Sequence, residues 1–196
     1  LNRKNVPIIG VNLGKLGFLA EFSENEIKQL LDDIIAEKTG IEKRMMLGCT
    51  LFSGGREKYN SAAINDVFIT AGPPYRAIEL RIYVDGQPLA GCLSDGLIIA
   101  TPTGSTAYNL SAGGPILSGS LEAIVITPIC PHSLSFRPVV MNSNCVIEVR
   151  GESLNEGTTI SIDGQVSWRF SVEDTVRIEK NRGRFLVVNN PMRSQW

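Results

Sequence analysis

The stretch AIELRIYVDG, residues 77–86, decides the fold. Ile78, Leu80, Ile82 and Val84 alternate with Ala77, Glu79, Arg81 and Tyr83, a period of two that suits a strand with one face toward a core and one toward solvent. Asp85-Gly86 follows at once, and a second Asp-Gly pair stands at Asp163-Gly164 between two further alternating segments. Such pairs tolerate the positive φ that both central residues of a type I′ turn need, so each predicts a β-hairpin.

Working outward, the same reading predicts strands at 64–70, 97–101, 123–128, 145–150, 158–163, 175–179 and 184–188. Strand character begins near Met45. Many short strands punctuated by Gly and Pro give a mostly β protein with few helices, arranged as an antiparallel sandwich. The one long helical pattern opens at Ser23, where Ser23 and Glu26 fit a capping box and Ile27, Leu30, Leu31, Ile34 and Ile35 share a face. Gly40 is its expected stop, and packing its expected role.

The first residues read differently. Val6–Val11 is a compact apolar run suited to a buried parallel strand, followed by the Gly-rich turn NLGKLGFLAE. A lone parallel strand has no partner, so residues 1–20 are expected to be the tail of an α/β domain lying outside the chain, with residues 21–196 forming the β-rich domain.

Composition narrows the function. The 196 residues carry 19 Lys plus Arg against 20 Asp plus Glu, with no basic segment, which disfavours nucleic acid or an anionic membrane as partner. No apolar run reaches bilayer length and the N-terminal residues do not resemble a signal peptide, so the expected location is the cytoplasm. Cys49, Cys92, Cys130 and Cys145 stand apart, with His132 the single histidine. No metal site is predicted from them, and the thiols are expected to be reduced and mostly buried.

Chemistry concentrates in CLSDGLIIATPTGSTAYNLSAGGP, residues 92–115. A buried strand runs into Pro102 and Gly104, then Ser105 and Thr106 are placed to open a helix that Gly113 and Gly114 close. That arrangement presents backbone N–H groups and small hydroxyls to a polar ligand such as a nucleotide, although Thr-Gly-Ser turns also occur as plain turns. Asp95 is placed either to accept ribose hydroxyls or to cap its own turn, and Tyr108 either to stack on a flat ring or to pack inside. Asn65-Asp66 sets an amide and a carboxylate beside an apolar strand, which requires pairing, exposure or a strand-end turn. A serine hydrolase built on Ser105 or Ser111 with His132 and Asp95 lacks the G-x-S-x-G elbow.

Five motifs in order, GVNLGKLGFLAE, INDVFIT, SDGLIIATPTGSTAYNLSAGGP, ITPICPHSLSFRPVV and the DGQ of residues 163–165, resemble the NAD kinase family across nearly the whole chain. The resemblance implies a two-domain enzyme, an α/β domain followed by an all-β domain, that transfers the terminal phosphoryl group of ATP or polyphosphate, with Mg²⁺, to the 2′-hydroxyl of the adenosine ribose of NAD. It implies that Asn65 and Asp66 bind the adenine end and ribose hydroxyls, with Asp66 shorter than the family's commoner glutamate. Asp95 is implied at a ribose or the nicotinamide end, and Thr106, Ala107, Tyr108, Asn109, Leu110 and Ser111 as the wall beside adenine and ribose. Gln165 is implied as a further contact. Leu93 replaces a basic side chain that some members carry.

The family's Gly-Gly-Asp-Gly motif, implied to hold the donor phosphates and the carboxylate acting on the acceptor hydroxyl, does not occur in the 196 residues. No catalytic residue is therefore assigned in this chain, which is expected to bind rather than catalyse when alone. It also ends at PMRSQW, ahead of the C-terminal helix that the resemblance implies. A homodimer or homotetramer is implied. The alternatives are a lipid kinase of related fold, which needs an apolar acceptor pocket, and a non-catalytic interaction module.

Overall fold

The computed structural model describes residues 6–13, 20–132 and 136–193. In chain order the elements are β1 (Val11–Asn12), β2 (Phe22–Ser23), α1 (Glu24–Ile35), β3 (Ile41–Ser53), β4 (Arg56–Ala63), β5 (Asp66–Thr70), β6 (Ile78–Val84) and β7 (Gln87–Ser94). Then come β8 (Gly96–Ala100), a 3₁₀ turn (Thr103–Thr106), α2 (Tyr108–Ser111), β9 (Ala123–Ile129), β10 (Val139–Asn142), β11 (Ile147–Ser153), β12 (Thr159–Ile162), β13 (Val166–Arg169) and β14 (Asp174–Val188). The chain forms two compact units, one from Leu1–Arg44 with Gly183–Trp196 and the other from Met45–Arg182.

The larger unit is the expected sandwich. One six-stranded sheet has the order β10-β9-β8-β5-β12-β13 and the other β4-β3-β14-β11-β6-β7. The main core joins Val67, Ile69, Leu97, Ile99 and Ile160 of the first sheet to Leu47, Leu51, Leu80, Val149 and Val176 of the second. Ile78, Leu80 and Ile82 are buried while Glu79 and Arg81 face out, as the alternation requires. Each fully buried Ile or Leu contributes roughly 2 kcal/mol of transfer free energy. Both Asp-Gly pairs are hairpin turns with positive φ, 50° and 77° at Asp85 and Gly86, 49° and 63° at Asp163 and Gly164.

β8 is buried along its whole length because both of its faces are covered. Leu97 and Ile99 enter the main core, while Ile98 and Ala100 join Val125 on the sheet's other face, with Phe68, Ala112 and Leu117 packed over them. The segment after β8 thus roofs the outer face of its own sheet.

Several expectations need correction. Residues 175–179 and 184–188 are not two strands but parts of the single β14. β4 and β10 were not legible: each is short or polar and carries no clean alternation. Val6–Val11 is neither buried nor without a partner. Val11 is 41% exposed, and it pairs in parallel with Phe22, while Ile8 makes a parallel bridge to Val187. Most of the Gly-rich turn that follows, residues 14–19, lies outside the described residues.

In the smaller unit the capping box is present. Ser23 N–H donates to Glu26 Oε2 at 2.7 Å, and Glu26 N–H donates to Ser23 Oγ at 3.4 Å. The Ser23 backbone N–H and side chain, with the Arg193 guanidinium on the same carboxylate, hold the Glu26 carboxyl down at about 2. The helix ends at Ile35, earlier than Gly40 suggests, and none of its residues is fully buried. Of the apolar face read as a packing element, Ile27, Leu30 and Ile34 are half-buried, while Leu31 and Ile35 are exposed.

Candidate functional site

Three segments distant in sequence converge at one end of the first sheet. β5 and β8 run antiparallel with Asp66 opposite Ala100, so the residues before β5 meet those after β8. Thr101 N–H donates to the Asn65 carbonyl at 2.8 Å, and Thr101 Oγ1 donates to the Ile64 carbonyl at 2.7 Å while accepting from Gly104 N–H at 3.0 Å. Gly104 lies against the Asn65 backbone with no room for a side chain. From the other neighbour of β5, Asp163 N–H donates to the Asp66 carbonyl at 3.0 Å.

Asn65 and Asp66 are therefore a built corner. Asp66 opens β5 and is buried. Burial, with the Asp163 carboxylate nearby as a lesser cause, pushes its carboxyl up to about 6. Asn65 Oδ1 is buried and has no hydrogen-bond partner among the described residues. An amide oxygen left this way costs about 1–3 kcal/mol until a donor reaches it. A raised carboxyl beside an orphaned acceptor makes this corner the candidate site for a polar ligand.

The segment after β8 departs from the helix expected to open at Ser105. It is a 3₁₀ turn, a break at Ala107 and a four-residue helix. Its leading amides are not free donors. Gly104 bonds Thr101 Oγ1, Ser105 bonds the Pro102 carbonyl and Ala107 bonds the Gly104 carbonyl. Thr106 is half-buried and donates its hydroxyl to the Thr103 carbonyl at 3.3 Å. Tyr108 combines both readings offered for it. It is 38% exposed and stands edge-on to Phe68 with ring centroids 5.2 Å apart.

Asn109 faces the other way. It is fully buried, donates from Nδ2 to the Ser105 and Pro115 carbonyls, and accepts the Thr127 hydroxyl at 2.6 Å. Its amide is occupied by the fold. Leu110 and Ser111 are exposed beside Tyr108, and Gln165 is exposed at the end of the Asp163-Gly164 turn. Asp95 lies apart from this group. It precedes Gly96, which pairs with Thr70, whereas the corner adjoins Ala100, five residues on and roughly 16 Å away along the strand.

His132 is exposed, and its backbone N–H donates to the Leu93 carbonyl. Ser105 has no exposed surface and its hydroxyl is held by the Pro102 carbonyl and Leu117 N–H, so it cannot serve as a nucleophile. Cys49, Cys92 and Cys145 are buried free thiols and Cys130 is exposed. Among the described residues no three His, Cys, Asp or Glu side chains gather as metal ligands. No helix among them is long and apolar enough to cross a membrane.

Thr101, Gly104 and Asp163 are the residues that sequence reasoning passed over. The Asp163-Gly164 pair was legible as a hairpin and the DGQ as a motif, but the role of the carboxylate was not.

The pattern described as the ATP-NAD kinase C-terminal domain matches residues 64–190, and that of the ATP-NAD kinase N-terminal domain matches residues 1–39. The chain is 44% identical over 177 residues to an NAD kinase of Geotalea daltonii, covering 90% of this chain and 62% of that protein. It is 42% identical over 193 residues to an NAD kinase of Syntrophotalea carbinolica, covering 98% and 68%. The chain thus spans about two thirds of the length of these relatives. Among solved structures, yeast NADH kinase complexed with NADH superposes with a TM-score of 0.87 at 34% identity, over 96% of this chain and 55% of that one. An NAD kinase from Archaeoglobus fulgidus in complex with ATP gives 0.80 at 28% identity, over 94% and 69%.

Proposed function

The chain belongs to the ATP-NAD kinase family, and on that premise we propose that it is the dinucleotide-recognising part of an enzyme that phosphorylates the 2′-hydroxyl of the adenosine ribose of NAD, with ATP or polyphosphate as donor. The observation that carries this reading is the Asn65–Asp66 corner: a buried amide oxygen without a partner among the described residues, beside a carboxyl pushed up by burial.

The chemistry of the ligand follows from that corner. The orphaned Asn65 oxygen needs an N–H or O–H donor, which an adenine amine or a ribose hydroxyl supplies. Asp66, once ionised, accepts from a ribose diol. Tyr108 offers a half-exposed ring for the base, with Thr106, Ala107, Leu110 and Ser111 as the rim and Gln165 as a further polar contact. Asn109 contributes by holding the 105–115 segment in shape. Asp95, at the far end of β8, is assigned to a different part of the dinucleotide from the one held at the corner.

The chain's contribution to the reaction is binding and orientation, which lowers the entropic part of the barrier. Attack of a ribose hydroxyl on a γ-phosphorus also needs a base at the hydroxyl and cationic stabilisation of the phosphates. No residue of this chain is assigned either role. Mg²⁺ belongs to the donor triphosphate on this reading, and the described residues offer no donor set for a resident ion. Residues 1–20 are assigned to an α/β domain and residues 21–196 to the β-rich domain. The working form is a cytoplasmic homo-oligomer.

The test uses the full-length protein with NAD, Mg²⁺ and either ATP or polyphosphate. Formation of NADP is expected with at least one donor. Absence of NADP with both overturns the reading.

A further inference from the structure

We propose that Asp163 is a positioning residue for the acceptor dinucleotide, its carboxylate fixing the Asn65–Asp66 corner through three consecutive backbone N–H groups. The inference rests on the function proposed above and assigns a role to a residue that touches no ligand there.

Asp163 Oδ2 accepts from Ile64 N–H at 2.8 Å, and Oδ1 accepts from Asn65 N–H at 2.7 Å and Asp66 N–H at 3.1 Å. These residues precede or open β5 and lie 97 to 99 positions away in the chain. Bonds from backbone N–H to a carboxylate are charge-assisted, shorter and about twice as strong as neutral ones. Three on one carboxylate leave the 64–66 backbone little freedom.

The hairpin delivers the carboxylate by a conformation few residues accept. Asp163 has φ 49° and Gly164 φ 63°. Asp is among the side chains that enter this region readily, so one residue supplies both the turn and the clamp. Asp163 N–H also reaches back to the Asp66 carbonyl, and Gln165 N–H closes the turn on the Ile162 carbonyl. The corner is thereby held from both neighbouring strands, with Thr101 and Gly104 opposing Asp163.

Such a clamp explains how Asn65 Oδ1 can remain buried without a partner among the described residues. An amide on a loose backbone would turn to find water or a local donor, whereas a fixed backbone holds it for a ligand. The same carboxylate lies close enough to Asp66 to disfavour a second charge there. Binding of the acceptor therefore depends on Asp163 through geometry, the three backbone bonds outweighing the relief that loss of its charge would give to an ionised Asp66.

The experiment measures steady-state kinetics and thermal stability of full-length wild type and Asp163→Asn. Asparagine keeps the shape but turns an N–H₂ toward one of the amides that the carboxylate accepts. The expected result is a KM for NAD raised on the order of tenfold or more, with the KM for ATP unchanged. Unchanged KM values with only less active protein would mean a merely structural residue and overturn the proposal. If Asp163→Asn does not fold, hydrogen exchange of the ligand-free wild type decides: slow exchange at the amides of residues 64–66 supports the clamp, and free exchange overturns it. A wild type that forms no NADP refutes the proposed function, whereas exchange at 64–66 still reports on the clamp itself.

Discussion

A Cβ on Gly104 would lie 2.0 Å from the carbonyl oxygen of Asn65, the same oxygen that accepts Thr101 N–H at 2.8 Å. Backbone meets backbone there, and neither side can yield without breaking the corner. Gly104→Ala is expected to destabilise the protein by on the order of 3 kcal/mol, as overpacking against a rigid neighbour does. Chemical denaturation monitored by intrinsic fluorescence measures it. A midpoint equal to that of wild type would show that the two segments are not locked together.

Asp66 gives the fold a dependence on pH. Its carboxyl stands at about 6 in the folded protein against an ordinary 3.8, chiefly through burial. Between those values the native state binds a proton that the unfolded chain has released. The associated stability is therefore full below about pH 4 and lost as pH rises through 6, on the order of 2 to 3 kcal/mol in all. Asp66→Asn, which mimics the protonated form, is expected to flatten that slope and to be more stable than wild type at pH 8. Denaturation midpoints of the two proteins from pH 4 to pH 8 check this, and parallel curves would contradict it. Affinity for NAD should move the opposite way in wild type, rising with pH as Asp66 becomes a full acceptor.

Thiol reactivity should divide the cysteines one against three. Burial pushes the Cys49 thiol up to about 12, and burial likewise raises Cys92 and Cys145. Thiolates carry the reactivity, so all three are expected to resist modification in the folded state. Cys130 is exposed. A neutral-pH titration with a chromogenic disulfide should find one fast thiol in native protein and four after denaturation. Loss of the fast phase in Cys130→Ser identifies it.

What was legible in the sequence was local. The alternation of Ile78, Leu80 and Ile82 fixed which face of β6 is buried, and Asp85-Gly86 fixed the turn that follows. Ser23 and Glu26 announced the start of α1 because a capping box needs only four consecutive residues. The candidate site was legible as residue types, Asn65, Asp66 and Tyr108 among them, but not as a geometry. Its corner is held by Asp163 from 97 residues away, a contact that no local pattern encodes. The same limit hid the inward turn of Asn109, whose partner Thr127 lies 18 residues on. Strands such as β4 escaped because an edge strand with one open side needs no buried alternation.

Tyr108 and Asn109 are adjacent, and their substitutions should have opposite consequences. The Asn109 amide bonds the carbonyls of Ser105 and Pro115 and the Thr127 hydroxyl, all inside the protein. Asn109→Ala removes three bonds, leaves those groups without a partner and opens a void beside Gly114, so a loss of roughly 3 kcal/mol in stability is expected. Tyr108, half-open and edge-on to Phe68, holds no comparable network. Tyr108→Ala should cost little stability but weaken NAD binding by about 1 to 3 kcal/mol through loss of a stacking surface. Calorimetric titration with NAD and thermal melting of both variants separate the two roles. Equal affinity of Tyr108→Ala and wild type would remove Tyr108 from the site, whereas a wild-type melting temperature in Asn109→Ala would show that the 105–115 segment is held by other contacts.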